Sequence, residues 1–276
     1  MSKFTLFLFL FSFINEIRLD VQKKDDWKLV WSDEFEYQGL PDPTKWNYEI
    51  GHIRNKEKQY YTGPRLENLE VKKGKLYITG KKESYPNAAY QEGSENWKES
   101  QPFADYTSGC IITEGINAWL YGRIEVRAKL PRGNGTWPAI WMLGENFKDR
   151  GWPYSGEIDI MEHVGIDAHN IHGTVHYQIG DNHEFASDGA KFFKKRLFRK
   201  FHTYAIEWTE EKIDFFVDDI LYHSFEIDKA GKGLENPFRK PQFLLINLAM
   251  GASWPGPIND KILPQQFVID FVRVYQ

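Results

Sequence analysis

The chain has 276 residues, with 35 basic and 39 acidic side chains, a formal charge of −4 and a pI near 6.1. That length suits one large domain, and the charge balance gives no electrostatic reason to expect nucleic acid or a membrane surface as a partner. One cysteine excludes an internal disulfide, while 16% aromatic content with ten tryptophans suits both a large core and stacking on the flat C–H faces of sugar rings.

At the start of the chain, Met1-Ser2-Lys3 precedes an apolar stretch from Phe4 to Ile14 that is too short to cross a bilayer as a helix. It reads as a secretory signal peptide over about residues 1–20, leaving 21–276 as a single domain that is secreted to the extracellular space or periplasm. No small-x-small cleavage pattern follows, so an uncleaved N-terminal anchor is the alternative, and a monomer is the default. Strand-like alternation then recurs at Leu76–Thr79, Arg123–Leu130, Ile171–Tyr177, Tyr204–Trp208, Ile213–Val217, Phe243–Ala249 and Phe267–Tyr275, separated by Gly, Pro, Asp and Asn turns. Many short strands without intervening helices predict an all-β sandwich or barrel. Cys110 opens a strand after Ser108-Gly109 and reads as a buried, inert thiol.

Trp137 and Trp141 stand four apart around Pro138-Ala139-Ile140, on one face of a strand, where they serve either as core or as a stacking platform. Trp254 lies in a Gly- and Pro-rich loop with little core to fill, and a sugar contact is expected there. His169, His172 and His176 have spacing that could converge on zinc, but no cysteine or carboxylate completes a tetrahedral set. The stretch Lys191–Lys200 carries six basic residues in ten, either a solvated loop or a contact for an anionic glycan.

The most informative run is Gly156-Glu157-Ile158-Asp159-Ile160-Met161-Glu162-His163, with three carboxylates inside six residues of an otherwise apolar strand. Alternation puts Glu157 and Asp159 on one face and Glu162 on the other; a bulge at Ile160 or Met161 returns Glu162 to their side. The outer glutamates would then sit roughly 13 Å apart at Cα, with carboxyls brought closer by twist and inward lean. That permits the separation of about 5–5.5 Å that a retaining glycosidase needs, without requiring it. Like charges in a partly dry cleft drive pKa values apart, giving an ionised nucleophile, a protonated acid and a middle group that tunes both. Taken alone, the triplet suits glycoside hydrolysis, a calcium site or a solvated acidic strand.

The flanking segments resemble laminarinase-like members of glycoside hydrolase family 16, from Leu29-Val30-Trp31-Ser32-Asp33-Glu34-Phe35 to Val268-Ile269-Asp270-Phe271-Val272-Arg273-Val274-Tyr275. Between them fall Tyr121-Gly122-Arg123-Ile124-Glu125-Val126-Arg127, Trp137-Pro138-Ala139-Ile140-Trp141-Met142-Leu143, Phe201-His202-Thr203-Tyr204-Ala205-Ile206-Glu207-Trp208, Asn247-Leu248-Ala249-Met250-Gly251 and Trp254-Pro255-Gly256. The resemblance implies a β-jelly roll, concanavalin A-like, of two curved antiparallel sheets with a cleft on the concave face. It implies retaining hydrolysis with Glu157 as nucleophile, Glu162 as general acid/base and Asp159 assisting; the two residues between Asp159 and Glu162 mark the bulged form of the motif. Trp137 and Trp141 would then floor the cleft, and His176 would hydrogen-bond near the acid/base. Arg65 and Asn68 match an Arg-x-Glu-Asn stretch in which Leu66 replaces the common proline; Asn68 either bonds sugar hydroxyls or caps a turn. A structural calcium, no part of catalysis, would sit at Glu34, the Gly74 carbonyl and Asp270. The basic run from Lys191 departs from the more neutral or acidic loop usual in the family.

The expected activity is endo-hydrolysis of β-1,3-glucosidic bonds in laminarin-like or mixed-linkage glucans, with no cofactor in catalysis. The alternatives are a hydrolase or transglycosylase for another β-glycan such as an agar- or carrageenan-type galactan, and a non-catalytic β-glucan recognition protein.

Overall fold

The computed structural model describes residues 27–179 and 184–276, so the signal-peptide reading lies outside the described residues. Two sheets face each other as a jelly-roll sandwich. One sheet has seven strands, ordered from one edge Glu184–Phe193, Asn170–Ile179, Glu157–Glu162, Thr136–Gly144, Gln242–Met250, Cys110–Ile112 and Asn47–Tyr48. The other is built around Ile220–Glu226, Lys212–Val217, His202–Trp208, Gly122–Lys129, Gln265–Tyr275 and Lys75–Pro86, with Leu29–Asp33 against the last strand of the chain. Pairing is antiparallel except where Gln59–Tyr61 runs parallel to Tyr106–Ser108. Each predicted strand is present with its ends shifted by a few residues, and Lys75–Pro86 extends well past the predicted Thr79.

Period-two alternation explains the main core. Ile158, Val175, Leu244, Ile246 and Leu248 from the first sheet meet Ile124, Val126, Ile206, Phe215 and Val272 from the second. Two of the largest buried aromatics have a partner for their polar tips: the Trp46 indole donates to Asp33 Oδ2 at 2.8 Å and that of Trp208 to the Phe238 carbonyl at 3.0 Å. The central strands are apolar on their outer face too. Ala139, Trp141, Leu143, Phe243 and Leu245 form a second cluster with Tyr61 and Cys110, packed by Ile53 and Phe147. Cys110 is buried, as expected of an inert thiol. This second layer is the floor on which the functional groups stand.

Candidate active site

The strand Glu157–Glu162 carries the predicted bulge. Against Thr136–Gly144 the register runs Leu143↔Glu157, Met142↔Ile158 and Trp141↔Asp159, then skips Ile160 and resumes at Ile140↔Met161 and Ala139↔Glu162. On the other side Asp159 faces Thr174 while Glu162 faces His172, so three steps on one strand meet two on its neighbour. Ile158, Ile160 and Met161 all enter the core. The extra inward residue turns Glu162 back to the face of Glu157 and Asp159. Gly156 makes the entry possible: its φ is 72°, and a Cβ there would stand 2.7 Å from Pro237 Cβ.

None of the three carboxylates has an ion pair with Lys or Arg among the described residues. Burial pushes Glu157 up to about 8, and the neighbouring Asp159 charge adds to the rise. Asp159, 3% exposed, is likewise raised by burial, a rise that hydrogen bonding with Glu157 opposes. Glu162 is driven well above the carboxylate range by burial, then by the charges of Asp159 and Glu157; the Trp137 indole, donating to its Oε1 at 3.0 Å, opposes that rise. A second opposing influence reaches Glu157 from His176 and Arg54. One atom each from Glu157, Asp159 and His176 lies within 4.8 Å of the others, a grouping that would also suit a cation.

The row opens into a cavity of about 280 Å³ lined by Trp137, Trp141, Trp152, Asn247, Arg54 and Glu57, among others. Trp141 is pinned by its indole donating to Asn247 Oδ1 at 2.7 Å, and the Arg54 guanidinium covers its ring at 4.8 Å. Asn247 in turn donates to the Tyr61 hydroxyl at 2.9 Å, and the Gln59 amide donates to Glu57 Oε2 at 2.6 Å. A hydrogen-bonded polar wall of this kind is rigid, because each partner fixes the next. On the opposite flank, Phe185 stacks on His176 at 5.5 Å and Trp152 meets Phe185 at 5.0 Å, both rings largely exposed. Trp254 stands edge-on to Trp137 at 5.2 Å and to His172 at 5.0 Å, and is 38% exposed.

The structure thus brings Glu157, Asp159, Glu162, Trp137, Trp141, His176 and Trp254 together, and corrects several details. His176 belongs to the nucleophile end: it pairs across strands with Glu157, and its Nε2 lies 3.1 Å from Asp159 and 3.9 Å from Glu157. The residue opposite Glu162 is His172. Asn68 does not reach the cleft. It is fully enclosed, accepting from Thr62 at 3.1 Å and Arg65 at 3.1 Å and donating to the Thr79 carbonyl and Thr107 hydroxyl. Arg65 is tied to Glu83 by two bonds of 2.7 and 3.1 Å, and both residues hold the fold together outside the cavity. The three histidines do not converge on zinc: His176 joins the carboxylates, His172 meets Trp254 and His169 accepts from the Arg196 amide.

Glu34, Gly74 and Asp270 do share one depression, of about 350 Å³. Its carboxylates are already engaged, Glu34 by Arg273 at 2.9 and 2.8 Å and Asp270 by Arg127 and by Lys75 at 3.2 Å. A donor set held by three protein cations does not fit calcium as arranged, since an ion would have to displace them.

Arg54, Asn55, Glu57, Trp152 and Asn247 were not singled out from sequence as site residues. A signal was there for Asn247, a lone amide in the apolar run Phe243–Met250 that must have a buried partner. Glu57 and Gln59 similarly precede the aromatic pair Tyr60-Tyr61.

A carboxylate that must carry charge beside one that must hold a proton, both facing a ring-lined cleft, is the working arrangement of a glycoside hydrolase. Likeness to known proteins narrows that class. Residues 57–273 match the model for glycosyl hydrolases family 16, and the chain belongs to that family, whose hydrolysis requires no cofactor. It is 43% identical to a β-glucanase of Rhodothermus marinus over 92% of this chain and 87% of that one. The solved laminarinase of the same organism superposes with a TM-score of 0.77 at 42% identity, covering 91% of this chain and 97% of that one. A structure from work on endo-acting O-glycanases, expressed by human gut microbiota to initiate mucin breakdown, superposes at 0.84 with 37% identity and 91% of each chain covered.

Proposed function

We propose that the protein is an endo-acting, retaining hydrolase of β-1,3-glucosidic bonds in laminarin-like or mixed-linkage glucans. The observation that carries this reading is the bulge at Ile160, which sets Glu157 and Glu162 on one face with Asp159 between them. In the first step Glu157 attacks the anomeric carbon while Glu162 protonates the departing glycosidic oxygen. Because Glu162 Oε1 accepts the Trp137 N–H, the transferable proton is carried on Oε2. Glu157 attacks in its ionised form, its proton passed to Asp159, whose carboxyl is likewise raised by burial. In the second step Glu162, now ionised, takes a proton from water, whose oxygen displaces Glu157 with net retention. The rings of Trp137 and Trp141 and the wall of Arg54, Asn55 and Asn247 supply the surface on which the glycan lies.

Another β-glycan is the second reading, an agar- or carrageenan-type galactan or a mucin O-glycan, the last favoured by the higher superposition on the O-glycanase-related structure. Reducing-sugar release from laminarin, barley mixed-linkage glucan, agarose, κ-carrageenan and mucin O-glycans, with Glu157→Gln as control, tests both. Release from laminarin that vanishes in the control supports the first reading. Release only from a galactose-containing polymer replaces the substrate and keeps the chemistry, while laminarin binding without release from any polymer points to a recognition protein. Product chains longer than the substrate would indicate transglycosylation. Export through residues 1–20, with 21–276 as one domain, belongs to the same reading and is tested by N-terminal sequencing of protein recovered outside the cell.

A further inference from the structure

Among the described residues, a group of exposed cations without a carboxylate partner gathers at one end of the molecule. Lys129, Arg132, Lys191, Lys195, Arg199 and Lys200 are exposed and make no ion pair among the described residues, while Lys194 beside them is bonded to Asp218 at 2.6 Å. They are not scattered. Directly opposed residues link Glu162 to His172 and His172 to Lys191, so Lys191 lies on the cleft face about 10 Å beyond the acid/base, two strand spacings away. The chain then carries Lys195, Arg199 and Lys200 around a short turn, Leu197–Arg199, anchored by buried Leu197.

That turn borders a depression of about 380 Å³ lined by Lys129, Arg132, Phe198, Arg199, Gln265 and Gln266 among others, with no carboxylate in its wall. The Arg132 guanidinium rests 6.0 Å from the Phe198 ring, and its backbone N–H donates to Gln265 Oε1 at 3.1 Å, so the loop that presents it is fastened. The same loop is joined to the Trp254 segment: Gly135 donates to the Pro255 carbonyl at 3.0 Å and Asn259 to the Asn134 carbonyl at 3.2 Å. Lys129, Gln266 and Val268 alternate with the core residues Ala128, Phe267 and Ile269, so the depression opens on the outer face of the other sheet, round the end of the sandwich from Glu162. Guanidinium forks and side-chain amides on an uncompensated wall match the oxygens of sulfate or carboxylate, and repeated contacts along one polymer reinforce one another although each is weak in water.

We propose that this cationic end is a second glycan-contact surface, holding acidic substituents of a polysaccharide that passes round the end of the sandwich, beyond the cleft. It stands whichever sugar flanks the scissile bond, and it is separate from hydrolysis itself. Affinity at low salt is measured for chondroitin sulfate, for a polyuronate bearing carboxylates alone, for laminarin and for duplex DNA, on the full chain and on a Lys129→Gln/Arg132→Gln/Arg199→Gln variant. The expected result is at least tenfold weaker binding of an acidic glycan by the variant, binding that declines with salt, and unchanged hydrolysis of a short neutral oligosaccharide. A loss confined to the sulfated polymer identifies sulfate as the ligand, and a loss for both identifies any carbohydrate acid. Equal binding by the two proteins, or duplex DNA held as tightly as the acidic glycans, overturns the proposal. Absence of hydrolysis by the parent protein would count against the hydrolase reading and leave the binding result intact.

Discussion

Two acidic groupings on this molecule have opposite electrostatics. At Glu34 and Asp270 the carboxylates are covered by Arg273, Arg127 and Lys75, and the hydrogen-bonded guanidinium of Arg273 holds Glu34 below its ordinary value. At Glu157, Asp159 and Glu162 there is no such cover; burial raises all three, and neighbouring carboxylate charge adds to the rise of Glu157 and Glu162. The first grouping is settled and contributes to cohesion; the second is held at a cost by the sheet, which is how a protein keeps a carboxylic acid protonated near neutrality.

The sharpest way to break the contrast is to remove one uncompensated group. Glu157→Gln should lower kcat by about 10³-fold or more with the fold retained, read by steady-state hydrolysis and circular dichroism. Trp137→Phe removes the donor that opposes the rise of Glu162, so kcat should fall about tenfold. The alkaline limb of kcat/KM should also move to higher pH, because Glu162 then keeps its proton longer. A pH–rate profile of the two proteins checks both.

Stability gives a third test, with a definite sign. Glu157 is raised from 4.5 to about 8, so between those values the folded protein binds a proton that the unfolded chain has released. Stability is therefore lost as pH rises through that window. Glu157→Gln removes the penalty and should stabilise the protein by on the order of 1–3 kcal/mol at pH 8 and by little at pH 4, measured by urea unfolding at both values. The paired grouping behaves in the opposite sense. Glu34 is lowered, so its contribution is present above the unfolded value and disappears as pH falls through the folded one. Since Glu34 is 36% exposed and Arg273 34%, Arg273→Met should cost only about 0.5–1 kcal/mol at pH 7. With those pairs in place, chelation should leave the melting temperature unchanged; a drop of several degrees restored by calcium would show an ion replacing them.

The contrast also marks how far sequence reasoning reaches. The carboxylate row was legible because it depends on local spacing: alternation and one extra apolar residue, Ile160, determine which face Glu162 takes. The long strands were legible for the same reason. Partners that arrive from far along the chain were not. Asn68 is enclosed by Thr107, brought from 39 positions away, and Arg273 reaches Glu34 across 239. No local pattern distinguishes a sugar-binding asparagine from one that ties two strands, or a calcium ligand from half of an ion pair. His176 stands opposite Glu157 and not at Glu162, because which residue of one strand faces which on the next is fixed by the register of both strands past the bulge.

The central claim is that the bulged row works as a nucleophile and an acid, with Glu157 forming a covalent bond to the sugar. Incubation with an activated 2-deoxy-2-fluoro glucoside of the substrate, followed by peptide mapping by mass spectrometry, tests it directly. The account predicts one glycosyl unit on the peptide containing Glu157, located on that side chain. A label on Asp159 or Glu162, or no adduct together with inverted anomeric configuration in the first-formed product, would contradict it.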